Sequence, residues 1–86
     1  MNRKPLAERL RLEGVPEDLY SLDGGLWGDR FCIEQRGSVW YVYHSERGER
    51  YDETLFVSED EACDRLYDIL TEGRMRRYTT ERPGDQ

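Results

Sequence analysis

The segment from Arg30 to Val57, RFCIEQRGSVWYVYHSERGERYDETLFV, constrains the fold more than any other. Phe31–Gln35, Val39–Ser45 and Arg50–Val57 are rich in aromatic and β-branched residues, and the connections between them, RGS and ERGE, are short and contain glycine. Connections of this length suit hairpins. A parallel crossover needs a dozen or more residues, so the segment predicts a three-stranded antiparallel meander.

Helical signals flank it. In KPLAERLRLEG, residues 4–14, Pro5 suits a first helical turn, Leu6 and Leu10 share one face, and Gly14 suits the position after the end. Residues 15–29, VPEDLYSLDGGLWGD, predict a helical turn around Glu17–Tyr20 and then an irregular loop through Gly24 and Gly25, pinned to the core by Leu19, Leu22 and Trp27. The clearest helix begins after Ser58. Ser58 and Glu61 have capping-box spacing, Glu59 and Asp60 favour the first turn, and Ala62, Cys63, Leu66, Ile69 and Leu70 form an apolar stripe. Gly73 is the expected end. Residues 74–86, RMRRYTTERPGDQ, have no periodicity and read as a flexible basic tail. The expected architecture is α+β in the order α-β-β-β-α: one domain over residues 1–73, with helices on one face of the sheet.

A chain of 86 residues has room for one small domain. Such a domain buries roughly 60–65% of its unfolded surface, which argues against a deep enclosed active site. Its 37% charged residues slightly outnumber the 36% hydrophobic ones, so the core must rely on the aromatics. The net charge of −6 is unevenly spread: +2 over residues 1–14, −10 over 15–72 and +2 over 73–86. An acidic body repels nucleic acid and anionic membranes and attracts basic protein surfaces, although acidity also serves plain solubility. The two cysteines, Cys32 and Cys63, form no CxxC pair, and the single His44 completes no usual zinc spacing with them. With no signal-peptide pattern and no long apolar run, the expectation is a cytoplasmic protein with reduced structural thiols, no metal and no cofactor.

Several residue groups invite a chemical reading. His44, Ser45 and Glu46 contain the residue types of a hydrolytic triad, but neighbours on a strand point to opposite faces, which argues against catalysis. Asp60, Asp64 and Asp68 line one helix face and suit either a solvated surface or a docking surface for a basic partner. Arg74, Arg76 and Arg77 beside Tyr78 are a poor nucleic-acid site on so acidic a body. Gly24, Gly25 and Gly28 lack the context of a phosphate loop. On the middle strand, Trp40 and Val42 suit the buried face with Phe56 and either Ile33 or Cys32. Tyr41 and Tyr43 are then displayed beside Glu34, Glu46 and Asp52. Exposed tyrosines among carboxylates compose a protein-binding patch, and they also compose ordinary cross-strand packing.

The succession LEGVPEDLYSLDGG, FCIE, VWYVYHSERG and FVSEDEACDRLYDIL resembles a family of small bacterial proteins of the immunity type, encoded beside polymorphic or contact-dependent toxins. The matching segments are Leu19–Gly25, Cys32–Glu34, Trp40 with Val42 and Tyr43, Glu46-Arg47-Gly48, and Phe56 through Cys63. They are fold patterns without a catalytic signature. The resemblance implies a non-catalytic inhibitor that binds one basic toxin domain by presenting acids to its groove or plugging its pocket. The remaining readings are a small adaptor or regulatory protein, and a structural protein that self-associates through the strand Arg50–Val57; a monomer or weak dimer is expected.

Overall fold

A computed structural model describes the backbone of residues 1–80 and the side chains of residues 1–71. The elements run α1 (Arg3–Leu12), a 3₁₀ turn (Glu17–Leu19), β1 (Tyr20–Ser21), β2 (Asp29–Arg36), β3 (Val39–Glu46), β4 (Glu49–Phe56) and α2 (Glu59–Thr80). The chain is α+β, as its pattern predicts, but the sheet has four strands in the order β1-β2-β3-β4. β2, β3 and β4 form the expected antiparallel meander. The additional β1 pairs in parallel with β2, Tyr20 opposite Phe31 and Ser21 opposite Cys32. A strand this short escapes the crossover requirement, because residues 22–28 need only fold over the sheet face and re-enter beside it.

Local chemistry fixes the elements. α1 ends in the expected glycine: Gly14 has φ +77°, its N–H donates to Arg11 O, and the Val15 N–H donates to Leu10 O. These are the two bonds of a Schellman motif, and they carry Val15 into the core beside Leu10. The β3–β4 turn is Arg47-Gly48, both with positive φ (55° and 78°), which gives the hand of turn that matches strand twist. Ser58 caps α2 by accepting the Glu61 N–H at 3.2 Å. α2 does not stop at Gly73: it continues to Thr80, as one glycine costs a helix only about 1 kcal/mol. The rest of the expected tail, residues 81–86, lies outside the described residues.

α2 lies across β2, β3 and β4, and α1 packs on α2. Leu6, Leu10, Ile33, Trp40, Val42, Leu66 and their neighbours form one cluster between helices and sheet. Cys63 is part of it, and burial pushes its thiol up to about 11. Cys32 is also fully buried, but on the opposite sheet face, opposite Tyr43. No helix is long and apolar enough to cross a membrane among the described residues.

Candidate functional site

The face of the sheet turned away from the helices is not open. Residues 24–28 cross it as a strap, held by two side chains that rise from β3 and by one backbone N–H of the turn that follows it. Tyr43 donates its hydroxyl to Gly25 O at 2.8 Å, Ser45 donates to Trp27 O at 2.8 Å, and the Arg47 N–H donates to Gly28 O. Tyr43, expected on display, is therefore 1% exposed, and Ser45 is fully buried. Trp27 does not pin the loop to the main core; it lies on this strap, half-exposed, with the Arg30 guanidinium 4.3 Å from its ring.

Beside the strap the charges cancel locally. Glu34 accepts from Arg36 Nη2 at 3.3 Å and from the Tyr43 hydroxyl at 3.1 Å, and Arg50 Nη2 stands 3.6 Å away. Arg36 also pairs with Glu53 and lies 4.0 Å over the Tyr41 ring. Two glutamates and two arginines thus form a neutral lattice. Burial works against the Glu34 charge, but the bonds from Arg36 and Tyr43 outweigh it, so its carboxyl stays below the ordinary value. Burial first, and then the neighbouring Cys32 and Glu34, push the Tyr43 phenol up to about 12.

The helix-side face has a closed end and an open end. At the closed end Arg3 ties α1 to α2 and to the loop: its N–H donates to Glu59 Oε2 at 2.9 Å, its guanidinium donates to Leu22 O and Asp23, and it sits 4.9 Å from the Trp40 ring. At the open end the strand register sets Asp29 directly opposite Glu46, and Glu46 directly opposite Glu49. Three carboxylates therefore stand in one row across three strands. Like charges in directly opposed positions destabilise a sheet, each pair by up to about 1 kcal/mol. Asp29 is relieved by His44, whose Nε2 lies 2.6 Å from Oδ1, but among the described residues neither Glu46 nor Glu49 has a cationic partner. The Glu49 charge raises the phenol pKa of Tyr51, which stands opposite His44 on the same face.

A cleft of about 360 Å³ opens beside this row, between β3–β4 and α2. Phe31, Val42 and Ile69 supply its apolar lining, and His44, Asp52 and Arg65 its charged or polar one. The Phe31 and His44 rings pack at 4.6 Å between centroids. Asp52 reaches the cleft through a β-bulge: the register slips between Val42 and His44, and Asp52 takes φ +56°.

The residues expected to form one binding patch are thus divided. Tyr41, Tyr43 and Glu34 share the strap-side face, where Tyr43 is buried and Glu34 is ion-paired. Glu46 and Asp52 belong to the helix side, Glu46 because strand alternation puts it with His44, and Asp52 because of the bulge. On α2, Asp60 and Asp64 hold the Met1 amino group, and Asp68 is exposed. Asp29, Glu49 and Arg65 were not singled out from the sequence. The register that aligns Asp29, Glu46 and Glu49 follows from the two hairpin turns and was legible there. Chemically, His44 and Asp29 make a hydrogen-bonded pair at which no nucleophile among the described residues is aimed: Ser45 faces the other side, and the Thr54 hydroxyl donates to Asp52 O. No group of three or more His, Cys, Asp or Glu among the described residues could hold a metal ion. No family model, curated protein or solved structure matches this chain.

Proposed function

We propose that this chain is a non-catalytic protein-binding module that neutralises a basic partner, and that it is a cytoplasmic immunity protein acting on a cognate toxin domain. The observation that carries the reading is the row Asp29–Glu46–Glu49 on the open end of the sheet. Acidity for solubility can be scattered at no cost to the fold. Three acids in directly opposed positions lower stability, and a cationic partner surface would relieve that repulsion on binding. The same field speeds encounter with a basic protein, while desolvated contacts in the adjoining cleft slow release. The resemblance to immunity-type proteins supports the same reading.

Affinity capture from a lysate of the source organism, washed at low and high salt, tests it. The expected result is one stoichiometric basic protein that survives the high-salt wash, with a dissociation constant in the nanomolar range. A spread of weak partners lost at high salt would end the inhibitor reading, and a single micromolar partner would favour an adaptor. Self-association has one observation of its own: β4 is an edge strand on which Leu55 is half-exposed. The bulge at Asp52 interrupts that edge, and light scattering across a concentration series should show a monomer over most of its range.

A further inference from the structure

We propose that the cleft beside the carboxylate row is the anchor site for one basic side chain of the partner, arginine in preference to lysine. This inference rests on the protein-binding reading above and deepens it. The charge balance selects a cation: Asp52 lines the cleft and Asp29, Glu46 and Glu49 stand in a row beside it, against Arg65 and His44. A second copy of this chain is a poor occupant, since two bodies of net charge −6 repel each other. The lining selects arginine. Phe31, Val42 and Ile69 can cover an aliphatic stem, and a planar guanidinium can stack on the Phe31–His44 pair while its fork meets the Asp52 carboxylate. At about 360 Å³ the cleft has room for an arginine side chain. The backbone supports the assignment. Asp52 holds a positive φ that most residues avoid, and the bulge that requires it is what turns this carboxylate to the helix side.

The test is a titration of the ¹⁵N-labelled full chain with N-acetyl-L-arginine amide, and in parallel with N-acetyl-L-citrulline amide, its uncharged isostere. Arginine amide should give saturable millimolar shifts at Phe31, Val42, His44, Thr54 and Ile69, and citrulline amide should give none at the same concentrations. Asp52→Asn, which keeps a residue tolerant of positive φ, should weaken arginine binding about fivefold, and Arg65→Gln should tighten it about twofold. Changes of opposite sign cannot both come from a damaged fold. Equal shifts by citrulline would overturn the proposal. So would arginine shifts confined to Asp29, Glu46 and Glu49 with Phe31 and Val42 unmoved, a result that removes the anchor and leaves the carboxylate row as an attractor. A saturable cleft together with a capture that yields no basic protein would instead remove the partner reading, and with it the anchor's assignment to a partner.

Discussion

The two faces of the sheet use the same three strands and the same residue types, yet they treat charge in opposite ways. On the strap side, Glu34, Arg36, Arg50 and Glu53 alternate in sign and close on one another around Tyr41 and Tyr43. At the open end of the helix side, Asp29, Glu46 and Glu49 repeat one sign across the strands. The difference separates charge that closes on itself within the fold from charge that does not, and under the proposed function the second set is the one a partner meets. Acidic composition alone does not make that distinction, because Glu34 and Glu46 contribute equally to the net charge.

The largest expected effect would break the equivalence of the two tyrosines. Tyr43→Ala removes a buried ring, its bond to the strap carbonyl of Gly25 and its bond to Glu34, and should cost about 3–5 kcal/mol in chemical denaturation. Tyr41→Ala, at a half-buried ring under Arg36, should cost less than about 1 kcal/mol. Equal losses would mean that the strap does not seal this face. Next in size, Glu34→Gln should lower stability by about 1.5–3 kcal/mol, since it removes the charged acceptor of Arg36 and Tyr43.

The pH dependence sharpens the same contrast. The Tyr43 phenol is raised from 10.0 to about 12, so between those values the native state binds a proton that the unfolded chain has released. Its contribution is complete below pH 10 and is lost as the pH rises toward 12, and Tyr43→Phe should remove that part of the alkaline decline. Glu34 has the opposite sign. Its carboxyl is lowered, so its contribution is present above the ordinary carboxylate value of 4.5 and is lost as the pH falls below it. Melting temperatures of wild type and Glu34→Gln should therefore converge in acid. The smallest effect is a gain: Glu46→Gln should stabilise the protein by about 0.5 kcal/mol, by interrupting a row of like charges.

The strands, the helix after Ser58 and most of the core were legible because each rests on a local rule: alternation, hairpin length, a cap, an apolar stripe. The strap was not. Residues 22–28 carry no periodicity, and nothing in the sequence says that Ser45 and Tyr43 offer hydroxyls to the carbonyls of Trp27 and Gly25. Without the strap, strand alternation alone leaves Tyr43 on an open face. Asp52 lies on the other face from Tyr43 for a different reason: a bulge inserts one residue and reverses the alternation beyond it, with no glycine to mark the spot. Glu46 needed only strict alternation from Trp40, and its face was readable. α2 passed Gly73 because one unfavourable residue does not stop a helix without a cap motif to end it.

One measurement tests the separation of the two charge sets most directly: affinity capture with two variants side by side, Asp29→Asn/Glu46→Gln/Glu49→Gln and Arg36→Gln/Glu53→Gln. The first should fold with unchanged or higher stability and lose the basic partner, and the second should lose stability and keep it. Equal retention by both variants, or loss of the partner by the second alone, would contradict the assignment of the carboxylate row as the binding surface.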